Sequence, residues 1–249
     1  MRKVFPECKN VTLDEVYADL RFEATAGRPY TAINMVSSVD GRTTVGGRLE
    51  SPRLGSERDR QLMGWVRHAV DVVVRGAQTV RANPVYPLIP DELVPVRLRK
   101  GLGEQPRVAI VTNSCDLPLD SPVFTAGPSR PIVLTSRVAP PDRVSKVASR
   151  ADVLFAGEDA VDPSRAVQML RSEFGIERIL LEGGPTLNYY FLRQRVVDEF
   201  FWTVAPKLIG GAGELSLVEG QDVFDPFVQL KLISAYTCAD ELFLRYKVL

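Results

Sequence analysis

A carboxylate and two glycines stand together at residues 182–184, where an apolar run passes into a segment that could form a helix. Glycine has no Cβ, so Gly183 and Gly184 would let the backbone approach a bound molecule closely. Pro185 suits the first position of a helix, whose free N–H groups and partial positive charge favour a pyrophosphate. Glu182 would repel that phosphate, so we expect it to point toward a substrate that carries hydrogen-bond donors.

A second candidate phosphate site follows the apolar run at residues 69–76. A helical turn that opens at Gly76 would leave backbone N–H groups free beyond the end of a strand. The hydroxyl of Thr79, three residues later, could add another donor. We therefore predict that Gly76 and Thr79 contact a phosphate.

Both stretches also have a purely structural interpretation. Glu182 could cap the following helix, with the two glycines forming only a tight corner, and Thr79 could cap a short turn. A single Glu-Gly-Gly lacks the three spaced glycines of the dinucleotide-binding fingerprint. At the level of residue types, both interpretations stay open.

A third polar stretch interrupts the strand predicted at residues 31–39. Asn34, Val36 and Ser38 would share one face of that strand, since side chains alternate. Asn34 on an otherwise buried strand needs hydrogen-bond partners, which can be backbone groups or a ligand.

The chain contains one histidine, His68. This argues against a zinc site of clustered His and Cys, a Ser-His-Asp hydrolase and a Cys-His hydrolase, and we predict no metal site. His68 closes a predicted amphipathic helix that follows Ser56, where a cation at the helix C-terminus would be favourable. We predict a structural role for it.

The composition, 45% hydrophobic and 25% charged, is ordinary for a soluble globular protein. The 31 Lys and Arg residues balance 31 Asp and Glu residues, so no net field favours nucleic acid or a membrane surface. No apolar run approaches the roughly 20 residues of a membrane-spanning helix, and the N-terminus does not resemble a secretory signal. Three widely spaced cysteines favour a reducing cytoplasm.

Strand-like and helix-like segments alternate through the middle of the chain, and the end is rich in strands. This order predicts an α/β fold with a mainly parallel sheet, helices on both faces and an antiparallel C-terminal edge. We predict an N-terminal extension at residues 1–28 and one domain at 29–249, with a long proline-rich loop at 84–106. Ligands bind beyond the carboxyl ends of parallel strands, where the three polar stretches should meet. Strands are predicted at residues 31–39, 69–76, 107–112, 131–135, 151–156, 178–182, 199–206, 227–237 and 241–249, and helices at 57–68, 140–150, 163–175 and from 185.

Six motifs, in order along residues 34–211, resemble the reductase domain of riboflavin biosynthesis. That domain is the C-terminal half of a bifunctional deaminase-reductase and also occurs in stand-alone relatives. The resemblance implies a dihydrofolate-reductase-like fold, NADPH as cofactor, hydride transfer to a ribosylamino-pyrimidine phosphate, and a homodimer. The motifs are NMVSSVDGRTTVGG, RLESP, VVVRGAQTVRANP, GEDAVD, LLEGGPTL and VDEFFWTVAPKLIGG.

The same resemblance assigns roles to individual residues. Glu182, Ser51 and Asn34 match positions at the substrate, and stand-alone relatives also carry Asn at the position of Asn34. Ser114 and Arg137 match, less closely, positions at the adenosine 2′-phosphate. The remaining matches are to the cofactor: Val36, Gly76, Thr79, Asn83, Val161, Gly183, Gly184, Pro185, Thr186 and Leu187.

Two departures concern the substrate more than the cofactor. Asn83 stands where the family often has an acid, and the proline-rich segment at 84–106 follows at once. The His-x-Glu and Pro-Cys motifs of the zinc deaminase half are absent.

The resemblance implies an NADPH-dependent reductase that converts the ribosyl group of a pyrimidine 5′-phosphate into a ribityl chain. Reduction of dihydrofolate or a pterin is an alternative, and so is a nicotinamide-binding protein without catalysis. We expect water or Glu182 to handle the proton, since one histidine leaves few general acids.

Overall fold

The structure is a computed structural model that describes residues 1–23, 27–49 and 51–249, without the side chains of residues 51 and 52. Within these ranges, eleven strands form one sheet in the order β2-β1-β12-β13-β11-β3-β10-β6-β7-β8-β9, and β4 pairs with β5 apart from it. The strands are β1 (Arg2–Phe5), β2 (Lys9–Asn10), β3 (Tyr30–Ser38), β4 (Thr44–Val45), β5 (Arg48–Leu49), β6 (Val72–Gly76), β7 (Arg107–Val111), β8 (Ile132–Thr135), β9 (Asp152–Phe155), β10 (Arg178–Leu181), β11 (Glu199–Ala205), β12 (Leu230–Cys238) and β13 (Glu241–Val248).

The centre of the sheet is parallel, as predicted. Ile179 of β10 lies opposite Thr31 of β3 on one side and Val72 of β6 on the other. The apolar run of β6 is fully buried because helices cover both faces of these strands. Parallel pairing places the carboxyl ends of β3, β10 and β6 at one edge of the sheet.

Helices pack on both faces, which confirms the predicted layers. On one face α8 and α9 pack against Ile33 and Ile179, and on the other α1 and α3 pack against Ala32 and Leu180. The helices are α1 (Leu13–Tyr17), α2 (Ser51–Leu54), α3 (Glu57–Arg67), α4 (Ala77–Ala82), α5 (Val94–Arg99), α6 (Pro122–Thr125), α7 (Pro141–Ala148), α8 (Pro163–Phe174) and α9 (Pro185–Arg193). No helix in the described ranges could cross a membrane.

The antiparallel side of the sheet combines both ends of the chain. β12 and β13 form the predicted C-terminal hairpin, and β13 pairs with β11. Arg2 of β1 lies opposite Thr237 of β12, so the N-terminal residues extend the same sheet. The outermost strand on this side, β2, is therefore N-terminal. The antiparallel edge predicted from the C-terminal strands also contains strands from the N-terminal residues.

The segment at 84–106 is not the long loop that its prolines predicted. It contains a 3₁₀ turn (Asp91–Leu93) followed by α5, with a proline in the first turn of that helix, where proline is tolerated. The buried Arg97 donates hydrogen bonds to the carbonyl oxygens of Gly103, His68 and Val70, at 2.5, 3.1 and 2.5 Å. These bonds anchor the segment to the end of α3.

His68 closes α3 and is structural, as predicted, but it does not act as a cation. Its ring is fully buried, with Nδ1 at the carbonyl oxygen of Trp65 and Nε2 2.7 Å from Nζ of Lys100. Burial, together with the charges of Lys100 and Arg97, lowers its pKa to about 4. The predicted stabilisation by a positive charge at the helix end is therefore wrong, because tertiary packing keeps the ring neutral.

Candidate active site

Two adjoining cavities lie beyond the carboxyl ends of the parallel strands. The inner cavity, about 200 Å³, lies over the ends of β3 and β10, and the outer cavity, about 470 Å³, lies between α4, α9 and the end of β7. Leu49 and Gly184 line both. The three polar stretches of the sequence meet here. The inner cavity is lined by Asn34, Met35, Val36, Thr43, Leu49, Asp59, Arg60, Met63, Arg67, Arg75, Thr79, Ala82, Asn83, Glu182, Gly183 and Gly184.

The Glu-Gly-Gly corner is fixed to the neighbouring strand by its backbone. The amide of Gly76 donates to the carbonyl oxygen of Gly183 at 2.8 Å, and the amide of Glu182 donates to that of Val74 at 3.0 Å. Gly183 has a φ of 72°, and a Cβ there would lie 2.9 Å from the sulfur of Met35. Only glycine fits this position without strain.

The start of α9 offers an uncapped helix end to the outer cavity. Gly184 is the N-cap and supplies no side chain to the first turn. Pro185, Thr186 and Leu187 follow along the cavity wall, so free N–H groups of this turn face it. The predicted helix start is thus present, and phosphate binding there stays a prediction.

Thr79 supports the same assignment. Its hydroxyl oxygen is buried and has no hydrogen-bond partner among the described residues. A Cβ on Gly184 would lie 3.6 Å from that oxygen, so the hydroxyl faces the uncapped start of α9. A buried hydroxyl without a partner is unfavourable, and a bound acceptor would satisfy it.

Glu182 does not cap the helix, because two arginines hold its carboxylate. Nε of Arg67 lies 2.5 Å from Oε1 and its Nη2 lies 2.9 Å from Oε2, while Nη2 of Arg75 lies 2.9 Å from Oε2. Burial alone would raise the pKa of Glu182, but the two guanidinium groups outweigh it and hold the pKa at about 2. The carboxylate thus stays charged on the cavity wall, and this group of two arginines and one glutamate carries one excess positive charge.

The arginine partners were missed in the sequence. Arg75 interrupts an otherwise apolar strand, and a lone buried arginine usually has a carboxylate partner. That signal predicts some partner for Arg75. It does not say that Arg67, on a helix, and Glu182, over a hundred residues away, share the same site.

Most of the other predicted residues also line the two cavities. Asn34, Val36 and Asn83 line the inner cavity, whereas Gly76, Ser114 and Val161 line the outer one. Ser51 begins α2, but its side chain lies outside the described part of the structure.

Arg137 does not line either cavity. Its guanidinium lies over the ring of Phe155, and its Nε is 3.7 Å from Oε1 of Glu158. Arg81 does line the outer cavity, and Nη1 of Arg143 lies 3.5 Å from the carbonyl oxygen of Ser114. The position after β8 predicted the correct edge of the sheet for Arg137 but not the direction of its side chain.

Two carboxylates that the sequence did not single out shape the site. Glu214 accepts hydrogen bonds from the Thr44 hydroxyl and the Gly46 amide, both at 2.7 Å, and so holds the glycine-rich turn beside the outer cavity. Asp59 lines the inner cavity, where burial, partly offset by a hydrogen bond from Thr203, raises its pKa to about 6.

No group of His, Cys, Asp and Glu in the described ranges could hold a metal ion. The chemistry available here is therefore an anion-binding helix start beside an inner cavity with paired charges and one carboxyl group of raised pKa.

Comparisons with known proteins agree with this geometry. Residues 29–244 match the model of the RibD C-terminal domain. The 2,5-diamino-6-ribosylamino-4(3H)-pyrimidinone 5′-phosphate reductase of Methanothermobacter thermautotrophicus is 31% identical over 89% of this chain and 99% of its own length. A pyrimidine reductase-like protein of Corynebacterium diphtheriae superposes with a TM-score of 0.82 at 25% identity, over 95% of this chain and 98% of that one. RibD of Acinetobacter baumannii superposes with a TM-score of 0.72 at 22% identity, over 90% of this chain and 59% of that one.

Proposed function

The chain belongs to the RibD C-terminal domain family, and from this premise we propose that it is an NADPH-dependent reductase of riboflavin biosynthesis. Its substrate would be 2,5-diamino-6-ribosylamino-4(3H)-pyrimidinone 5′-phosphate or the deaminated form, and its product the ribityl compound. The observation that carries the proposal is the unpartnered, buried hydroxyl of Thr79 beside the uncapped start of α9.

The outer cavity fits a dinucleotide. The N–H groups at the start of α9 would bind the pyrophosphate from the outer cavity and the Thr79 hydroxyl from the adjoining inner cavity, with Gly76 and Gly184 allowing close approach. Arg81 and Ser114 line the outer cavity and would donate hydrogen bonds to a 2′-phosphate, which would favour NADPH over NADH. Val161 would contact the cofactor through its apolar side chain.

We assign the inner cavity to the pyrimidine phosphate. Glu182, oriented by Arg67 and Arg75, would accept hydrogen bonds from ring N–H or amino groups. Asn34 and Asn83 would add adaptable hydrogen bonds, and Arg60 would supply a cation for the 5′-phosphate.

The protein would contribute mainly position and orientation. NADPH supplies the hydride. Val36 and Gly183 line the inner cavity, and their backbones would hold the nicotinamide against the sugar C1′. The narrow inner cavity would exclude bulk water from that carbon.

Stopped-flow oxidation of NADPH tests the proposal, with the pyrimidine 5′-phosphate, dihydrofolate or no substrate added. Rapid oxidation with the pyrimidine phosphate alone is the expected result. Oxidation with dihydrofolate alone would show that dihydrofolate is the substrate. Tight cofactor binding without turnover would indicate a nicotinamide-binding protein without catalysis.

We further propose a cytoplasmic homodimer. Val223, Phe227 and Leu249 border one cavity and are 82%, 74% and 69% exposed, an apolar surface that a second copy could cover. The three thiols are free, as expected for a reducing compartment. Sedimentation velocity at micromolar concentration would test the dimer, and a monomer would contradict it.

A further inference from the structure

Asp59 is an acidic side chain on the wall of the inner cavity that the binding scheme above does not use. It is the third residue of α3, and its carboxyl group lies beside Gly55, where a Cβ would be 2.2 Å from Oδ2. It shares with Asn34 both the inner cavity and a small pocket behind it. Thr203 of β11 donates a hydrogen bond to it.

The charges around Asp59 disfavour its ionised form. Glu241 from β13 and Glu182 after β10 both repel a negative charge there, and Tyr17 of α1 faces it as a neutral phenol. Arg60, on the same helix, attracts it. Arg67 and Arg75 share the cavity, but their donors are directed at Glu182. Burial and the two carboxylates outweigh Arg60 and the Thr203 hydrogen bond, and raise the pKa of Asp59 to about 6.

The other titratable groups of the inner cavity are not suited to deliver a proton. Glu182 is held as a carboxylate by two guanidinium groups, and the lining arginines stay protonated. His68 is buried at the far end of α3 and lines neither cavity. Asp59 remains, on the same wall as Asn34 and within the space assigned to the substrate.

We propose that Asp59 donates the proton that opens the ribosyl ring during reduction. The inference rests on the proposed function. The proton of Asp59 passes to the ring oxygen as the bond between that oxygen and C1′ breaks, which leaves a hydroxyl group. The lone pair of the nitrogen attached to C1′ forms a C=N bond. NADPH, when bound, would supply the hydride that reduces C1′ and would become NADP⁺, and Asp59 would regain a proton from water.

This assignment changes the expected source of the proton. The sequence suggested water or Glu182, because it showed only one histidine and gave no sign that an aspartate in the first turn of a helix faces a cavity. A helix N-terminus normally favours a carboxylate, so burial and the neighbouring acids are what make Asp59 able to hold a proton near neutral pH.

The test compares Asp59→Asn with Glu57→Gln, an exposed carboxylate in the same first turn. In the wild type, kcat/KM with the pyrimidine phosphate should fall tenfold per pH unit above about pH 6. Asp59→Asn should lower kcat at least 100-fold and abolish that decline, with the NADPH dissociation constant unchanged. Glu57→Gln should behave as the wild type.

A readout without turnover is carbon NMR of the aspartate carboxyl groups. One resonance should titrate near pH 6 in the wild type and in Glu57→Gln, and should be missing in Asp59→Asn. Because the raised pKa destabilises the folded state as pH rises from about 4 to 6, Asp59→Asn should melt at or above the wild-type temperature at pH 7.5.

The outcomes separate the two proposals. If the wild type is active and Asp59→Asn keeps both its rate and the alkaline decline, Asp59 is not the donor and the proposed function stands. If Asp59→Asn fails to fold, the wild-type NMR titration decides, and a midpoint below pH 5 overturns the inference. If the wild type does not oxidise NADPH with the pyrimidine phosphate, both proposals fall.

Discussion

At the scale of single residues, the partners of a side chain decide what it can do. Glu182 could have been a cap or a substrate ligand, and its contacts with Arg67 and Arg75 exclude the cap. Its lowered pKa stabilises the fold above its ordinary pKa of 4.5, and that stabilisation is lost as pH falls from 4.5 toward 2.

Glu182→Gln tests the proposed role at the substrate. The amide keeps the shape but replaces an acceptor-only carboxylate, so kcat/KM should fall at least tenfold, which corresponds to about 1.4 kcal/mol. The change also leaves two buried arginines without a counter-charge, and we expect a loss of about 3 kcal/mol in the free energy of unfolding. NADPH affinity, measured by calorimetry, should survive because the start of α9 and Thr79 are untouched.

Gly184→Ala is the matched variant for the other half of the corner. Its methyl group would occupy the approach to Thr79, so NADPH binding should weaken first. Should Glu182→Gln lose NADPH binding while Gly184→Ala binds NADPH normally, the assignment of Glu182 to the substrate and of Gly184 to the cofactor is wrong.

Thr79→Val tests the phosphate contact. The hydroxyl has no partner among the described residues, so its removal should leave the melting temperature nearly unchanged. NADPH binding should weaken by roughly 1–2 kcal/mol, the scale of a hydrogen bond to a charged acceptor. Thr31→Val is the control, since Thr31 also has a buried, unpartnered hydroxyl but lines neither cavity. Equal NADPH affinities in the two variants would mean that Thr79 has only a structural role.

At the scale of elements, helix ends carry the unexpected features of this protein. The start of α9 is left uncapped beside the outer cavity, whereas the end of α3 is closed by buried polar contacts. Arg97 of α5 closes the end of α3, because it donates to carbonyl oxygens there that a solvent-exposed helix would leave to water.

His68 gives a pH prediction for this element. It is the single histidine, so its ring proton is assigned in an NMR spectrum without further work. We expect a titration midpoint near pH 4, and Lys100→Met should move that midpoint upward. Between pH 6.5 and about 4 the unfolded chain binds the proton and the folded chain does not, so the free energy of unfolding falls as pH falls. A midpoint near 6.5 would contradict the buried contacts.

At the scale of the whole molecule, one sheet joins both chain ends and the site. The family model matches residues 29–244, inside the predicted domain of residues 29–249. The described part of residues 1–28 nevertheless adds strands to the same sheet and packs α1 against α3. A boundary at residue 28 therefore marks the family match and does not mark a break in packing.

The cofactor prediction belongs at this scale, because a ligand that binds only the folded chain stabilises all of it. At 100 times its dissociation constant, NADPH should add about 2.7 kcal/mol. For a chain of this size that is a rise of roughly 5–10 °C in melting temperature. NADH at the same concentration should raise the melting temperature less. Equal rises with the two cofactors would contradict the proposed contacts of Ser114 and Arg81 with the 2′-phosphate.

The pattern of apolar runs determined the layered α/β fold, because a strand buried on both faces must be apolar throughout and its helices must be amphipathic. Local chemistry also singled out Gly183, Gly184 and Thr79 as candidates, since glycines and a hydroxyl after a strand can bind a phosphate as well as form a turn or a cap. Only the tertiary structure decided that Arg67 and Arg75 pair with Glu182, that His68 is neutral and that Asp59 faces a cavity. Those properties depend on burial and on charges brought together from distant segments, which neighbouring residues in the sequence do not record.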